Sequence, residues 1–343
     1  MKKYKYFEKE KLIMSVNSIK DIARLSGYSI STVSRVLNNT GRISLKTREK
    51  ILKIAKENNY SQNIIAKGMR KGSLAIIGIL VPDITNPYYA SIVKKCEQNF
   101  FKEDYLTIVC NTERNAKLEE KYISRLGNHM VDGLVIVSTQ RKIDQKQSAI
   151  PTVFIDRSPK LTQNTIIASS DNYSGAVLAT NHLIDIDCYP ILITNKNNDF
   201  SSNKSRIKGF LDTAKSRGIT DPIIINTETN SDEIYLKKDQ LKEKIDNLLK
   251  KHKKIGIFAI NDNVASYMYQ LAIDNNISVP SKLSIVGFDD SPIAKKLQLT
   301  TIRQDTSKIA RVSCTNLLKL LRHKEILDHK FTIGVSLIKR ATT

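Results

Sequence analysis

Cysteine is scarce in this chain. Cys96, Cys110, Cys188 and Cys314 stand far apart, with no CxxC spacing. That excludes a disulfide-rich secreted scaffold and a zinc site built on cysteine pairs. Long apolar runs are missing as well. The longest, Leu74 to Val81, is too short to span a membrane. The opening stretch MKKYKYFEKEKLIMSV has charge but neither an apolar core nor a small-residue cleavage site. A reduced, cytoplasmic protein with no membrane partner is expected. No GxSxG elbow, Walker loop or HExxH pair occurs, and His129, His182, His252, His323 and His329 lack ligand spacing. An enzyme is not expected, nor is a metal or cofactor.

Acidic residues are the minority charge, with 34 Asp+Glu against 55 Lys+Arg and a net charge of +21. The 343 residues predict two or three domains, and a 41% hydrophobic content excludes a disordered chain. The basic excess is uneven. Residues 1–73 hold 17 Lys/Arg and 5 Asp/Glu, a net of +12 on about a fifth of the chain. Such a head suits a polyanion. An AT-biased genome would account for the milder +9 on the remainder.

The head has helix punctuation. Ser18 with Asp21 forms a capping box ahead of Ile19, Ile22 and Ala23. Gly27 ends that helix, where a tight turn needs a residue free of Cβ strain. Ser29 can cap a second helix that buries Val33, Val36 and Leu37. Ser44 can cap a third that buries Ile51, Ile54 and Ala55. The pattern predicts a helix-turn-helix, with the second helix exposing Ile30, Ser31, Thr32, Ser34, Arg35 and Asn38. Taken alone, the same pattern also fits a plain three-helix bundle with a solvated face.

The stretch Ser18–Tyr60, and above all STVSRVLN at Ser31–Asn38 followed by SLKTREK at Ser44–Lys50, closely resembles the head of the LacI/GalR family of bacterial repressors. The resemblance implies that Ile30, Ser31 and Arg35 face bases. It assigns Thr32, Ser34, Asn38, Arg42, Ser44 and Thr47 to the DNA backbone or groove edge. An apolar Ile30 would favour a thymine methyl. Residues 63–73 take the place of a hinge helix, with Met69 as the minor-groove wedge. Residues 1–17 are expected to be a disordered extension, residues 18–62 the DNA-binding domain and 74–343 an effector-binding and dimerisation domain.

Beyond Leu74, apolar runs at 75–81, 106–110, 133–137, 151–155, 190–194, 222–225, 255–259 and 283–287 predict strands. Helical stretches at about 87–102, 114–128, 172–185, 203–217, 233–252 and 262–275 lie between them. This alternation predicts α/β architecture with two doubly wound parallel sheets. Ligands of such sheets bind at the C-terminal ends of strands. There stand VPDITNPYY, IDR, AINDN, VGFDDS and TTIRQD, with SRIKGF early in a helix. The series resembles the periplasmic-binding-protein-like core of the same repressors and of ribose-type sugar-binding proteins.

By that resemblance the effector set is Asn86, Tyr88, Tyr89, Asp156, Arg157, Arg206, Asn261, Asp289 and Gln304. Carboxylates and guanidinium forks suit neighbouring hydroxyls, and tyrosines can cover a sugar's C–H face. A second aromatic expected near position 229 is replaced by Thr229. The implied protein is a homodimeric repressor that binds a pseudo-palindromic operator and is released by a small sugar, ribose or another monosaccharide. A phosphocarrier co-repressor is a possible further partner. The rival readings are a nucleobase or nucleoside effector and a sugar-binding transport protein.

Overall fold

The computed structural model describes residues 18–60, 73–127, 130–137, 150–157, 162–195, 201–227 and 238–343. The expected extension at 1–17, the expected hinge except Ser73, with its Met69, and Thr229 lie outside the described residues. The chain divides into two compact units, Met1–Leu74 and Ala75–Thr343.

The first unit contains α1 (Ile19–Ser26), α2 (Ile30–Leu37) and α3 (Leu45–Glu57). Ser18 Oγ accepts from Asp21 N at 3.3 Å, and the Asp21 carboxylate accepts from Ser18 N at 3.2 Å, closing the capping box. Gly27 ends α1 at φ 75°, in the left-handed region that glycine enters without strain. Ser29 and Ser44 cap α2 and α3. Helices this short are marginal alone. Burying Ile22, Ala23, Val33, Val36, Ile51 and Ala55 in one core holds the three together.

The strands of the second unit, in chain order, are β1 (Ile76–Val81), β2 (Leu106–Asn111), β3 (Gly133–Ile136), β4 (Thr152–Ile155), β5 (Thr165–Ser170) and β6 (Tyr189–Asn195). They continue with β7 (Ile223–Thr227), β8 (Ile255–Ala259), β9 (Leu283–Asp289), β10 (Thr300–Gln304), β11 (Lys330–Ile333) and β12 (Val335–Ile338). The helices are α4 (Pro87–Phe101), α5 (Ala116–Gly127), α6 (Asn172–Asp185), α7 (Ser201–Ser216), α8 (Lys238–Lys251), α9 (Asp262–Asp274), α10 (Pro292–Lys296) and α11 (Thr306–Leu321).

They build two six-stranded sheets. Lobe one has the order β11-β5-β4-β3-β1-β2 and lobe two the order β12-β10-β9-β8-β6-β7. Helices cover both faces of each, which is why the central strands are apolar throughout rather than alternating. In lobe one, α4 and α11 bury Ile92, Phe100, Ile309 and Leu317 on one face, while α5 buries Ile123 and Leu126 on the other. In lobe two, α8 and α9 pack on one face and α6 and α7 on the other.

The structure adds elements to those expected. Strands β5, β10, β11 and β12 and helices α10 and α11 were not among the predicted runs. All pairings are parallel except β12, which runs antiparallel to β10. The chain passes between lobes at Asp171, Asp305 and Gly334. At the first two of these points an aspartate caps the helix that follows. Asp171 N also donates to Ile333 O at 2.8 Å, joining the first crossing to the third.

Gly175 on α6 packs closely against Phe288. A Cβ there would lie 2.7 Å from the Phe288 ring and 3.1 Å from Ile302. Gly175→Ala should therefore lower stability by about 1–3 kcal/mol through overpacking. Gly334→Ala, where an added Cβ meets nothing within 4 Å, should stay close to the parent. Urea unfolding of the two variants checks this, and equal midpoints would contradict it.

Candidate nucleic-acid interface and ligand cleft

The exposed side of the head is built around α2. Ile30, Ser31 and Arg35 are exposed there, Ile30 at 44%. The hydroxyls of Ser31 and Thr32 lie 2.8 Å and 2.9 Å from Ser29 Oγ, which also accepts from Thr32 N. This first turn thus presents hydroxyls at the positive end of a helix, the arrangement that receives phosphate oxygens. Arg42 and Ser44 are exposed on the following loop and cap, and Thr47 is half-buried.

Two pairs of assigned residues are partly committed inside the head. Asn38 Nδ2 donates to Ser34 O at 2.8 Å and to Ser34 Oγ at 3.2 Å, so this pair also closes the end of α2. Ser44 and Thr47 likewise share a hydrogen bond of 2.8 Å while Ser44 caps α3.

In the second unit, all nine residues of the expected effector set line one cleft between the lobes. Arg114, Ser202 and Asn203 join them there. The strand-end rule covers Arg114, which stands in the loop just after β2. Ser202 and Asn203 sit in the first turn of α7, four and three residues before Arg206.

Lobe one contributes a carboxylate already held in place. Asp156 follows β4 at φ 52°, a strained position for a non-glycine residue. Its Oδ1 accepts from Ser170 N at 3.1 Å, and its Oδ2 accepts from the Tyr88 hydroxyl. Burial, reinforced by the Asp156 charge, keeps that hydroxyl protonated well above the ordinary tyrosine range. Tyr88 thus spends its hydroxyl on Asp156 while it lines the cleft. The Tyr88 and Tyr89 rings meet edge to face at 65°, and only Tyr89 is half-buried. Asn86 caps α4, its Oδ1 accepting from Tyr88 N at 2.9 Å. Arg157 Nη1 donates to Asp156 O at 2.9 Å and to Ser202 Oγ at 3.4 Å, reaching across to α7.

Lobe two contributes the opposing wall. The Arg206 guanidinium lies 3.5 Å from the Phe288 ring centroid. Its Nε donates to Asn172 Oδ1 at 2.8 Å and its Nη1 to Ile260 O at 2.6 Å. The ring and two neutral acceptors hold the fork without neutralising it. Asn261 caps α9, accepting from Val264 N at 2.9 Å.

Asp289 ends β9 at φ 124° and accepts from Gln304 Nε2 at 2.6 Å. Burial pushes its pKa up to about 8, against the pull of Arg206 and with help from the Asp262 and Asp156 charges. Gln304 is 4% exposed, and its Oε1 has no partner among the described residues. Such a buried orphan acceptor is open to a ligand donor.

Asp262 has a role beside this set that the sequence reading missed. It is fully buried. It accepts from Ser291 N at 2.7 Å and from Thr301 Oγ1 at 2.6 Å, which fixes the turn after Asp289. Burial raises its own pKa to about 6. The signal was its place in Asn261-Asp262, read as one ligand when the pair supplies a cap and a brace.

No helix of the described residues is long and apolar enough to cross a membrane. Residues 18–63 match the family model for bacterial regulatory proteins of the lacI family, and residues 181–343 match the periplasmic binding protein-like domain. The ribose operon repressor of Halalkalibacterium halodurans is 30% identical over 96% of this chain and 97% of its own. The lac repressor bound to ONPG in the repressed state superposes with a TM-score of 0.80 at 25% identity, covering 95% of this chain and 99% of that one. A periplasmic binding protein/LacI transcriptional regulator from Alkaliphilus metalliredigens, complexed with D-xylulofuranose, gives 0.68 at 27% identity, over 78% of this chain and 99% of that one. This chain belongs to the lacI family of bacterial regulatory proteins and is a transcriptional regulator, not an enzyme.

Proposed function

We propose that this regulator represses a sugar-utilisation operon from the cytoplasm and leaves its operator when a monosaccharide, ribose foremost, fills the cleft. The observation that carries this reading is the cleft itself. Two carboxyl groups, three guanidinium groups and several amides from both lobes line it together. That donor and acceptor mix suits a small polyol, whose every hydroxyl both gives and takes a hydrogen bond. The ribose operon repressor and the D-xylulofuranose complex among its relatives lend support to a five-carbon sugar.

The head reads DNA through α2 in the major groove, with Arg35 on a base edge and Arg42 on phosphate. The protein acts as a homodimer. In support, β2 is an edge strand of lobe one with Leu106 and Val109 exposed on it, beside an exposed Phe101. An open apolar edge of this kind calls for a covering partner. A two-fold dimer presents two equivalent helices and so favours a pseudo-palindromic operator.

Arg35→Ala should lose discrimination between operator and random DNA by about 1–3 kcal/mol. Arg42→Ala should instead weaken all DNA and flatten the salt dependence. Anisotropy titrations with both DNAs at several salt concentrations separate the two effects. An identical, sequence-independent loss for both variants would contradict the assignment.

Sugar binding should depend on pH through Asp289. In the empty protein its pKa of about 8 lies above the ordinary 3.8, so the folded state keeps a proton that the unfolded chain gives up. The stability this contributes is complete below 3.8 and is lost as the pH rises through 8. A sugar hydroxyl donating to Asp289 favours its ionised form. Binding therefore releases a proton below pH 8. Ribose affinity should rise between pH 6 and 8 by up to about tenfold per unit. Calorimetry in buffers of different ionisation enthalpy, with pentoses, hexoses and purine bases in parallel, tests both points. Binding by purine bases alone would overturn the sugar reading, and affinity independent of pH would overturn the role of Asp289.

A further inference from the structure

A second cavity lies beside the ligand cleft and shares a wall with it. It is a half-open hollow of about 590 Å³, against about 70 Å³ for the cleft. Small-molecule sites run to roughly 300–1,000 Å³. Tyr88, Asp289 and Gln304 belong to both linings. The remaining lining comes from both lobes, including Lys95 on α4, Thr306 on α11, Lys295 on α10 and Arg303 on β10.

Three acids, Asp289, Asp290 and Asp305, and three cations, Lys95, Lys295 and Arg303, line this space, and two of the cations stand outside its ion pairs. Among the described residues neither Lys95 nor Lys295 is in an ion pair. Lys95 Nζ donates to the neutral Thr306 Oγ1. The acids of the wall are engaged elsewhere. Asp290 accepts from Arg303 and Arg340. Asp305 caps α11 through Lys308 N at 2.8 Å, and Asp289 takes Gln304 Nε2. Burial lowers the Lys95 pKa, and Lys295 and Lys94 lower it further against the attraction of Asp305. Two lysines from opposite lobes thus press on each other across an open space.

The first turns of α4 and α11 also line the cavity, and helix N-termini add positive potential. The orphan Oε1 of Gln304, on the common wall, adds a buried acceptor for a ligand hydroxyl.

We propose that this cavity is a second ligand site for a small phosphate-bearing molecule, whose anionic group sits between Lys95 and Lys295 and ties the lobes together. The inference stands apart from the identity of the cleft's own effector. Because the two spaces share Tyr88, Asp289 and Gln304, occupancy of one changes affinity at the other, and the effect is reciprocal.

Full-length protein should be titrated by calorimetry with inorganic phosphate and with glycerol 3-phosphate, at ionic strength held constant with chloride. Saturable binding is expected for at least one of them. Tighter binding of glycerol 3-phosphate supports an organic phosphate as occupant, and tighter binding of inorganic phosphate supports the free anion. Lys95→Met and Lys295→Met should each weaken it about tenfold, the loss of one charge-assisted contact. Lys94→Met, the neighbouring exposed lysine that does not line the cavity, should bind as the parent does. No saturable binding, or an equal loss in Lys94→Met, would overturn the site. So would an affinity that falls on Arg114→Gln in the cleft but not on either lysine substitution.

Discussion

The enclosure of Asp289 among other carboxyl groups governs the cleft. Asp156 faces it from lobe one and Asp262 lies behind it in lobe two, and both raise the cost of ionising it. The empty protein meets that cost in two ways. Asp289 keeps its proton to about pH 8. The other two are held by donors, Ser170 N and the Tyr88 hydroxyl for Asp156, and Ser291 N and the Thr301 hydroxyl for Asp262. A ligand rich in hydroxyls can take over the proton's task by donating to Asp289 and Gln304 together. In this account the effector completes a polar network that the free protein leaves one partner short, at the Gln304 oxygen.

The architecture gives that network mechanical consequences. Asp156 and Arg157 end a strand of lobe one, while Arg206, Asn261, Asp289 and Gln304 belong to lobe two. The chain passes between the lobes three times, and the hydrogen bond from Asp171 N to Ile333 O couples two of those passages. A ligand that binds both walls favours the lobe arrangement in which they are closest. Only a difference in its affinity for two arrangements can alter DNA binding. Arg157, bonded to Ser202 on the far side of the cleft, is one contact such a change would have to break or remake.

Much of this was legible in the sequence, for identifiable reasons. Helix caps at Ser18, Ser29 and Ser44 are local, and the three head helices begin where those residues predict. Unbroken apolar runs such as IIGILV mark central strands, which are buried on both faces. Strands β11 and β12 were missed because they are four-residue elements with exposed positions, and β11 pairs with β5 from a point far away in the chain. Helix α11 follows a strand of lobe two yet packs on lobe one, a placement no local pattern encodes. The nine expected effector residues converge on one cleft because each stands at a strand end or early in a helix. What the sequence could not reveal was which of them the protein uses for itself. Tyr88 reads as a sugar platform, and the fold spends its hydroxyl on Asp156. Asp262 stands beside the expected ligand Asn261, and the fold buries it as a brace.

The central claim is that the cleft's occupant controls the grip on DNA. The direct measurement is operator release by D-ribose, followed by fluorescence anisotropy for the parent and for Arg206→Ala. Arg206 lies in the second unit, so operator affinity without sugar should match the parent. Half-release of the variant should require about ten- to a hundredfold more ribose, the loss of about 1–3 kcal/mol from one charged hydrogen-bonding partner. Release of the variant at the parent's ribose concentration would contradict the account.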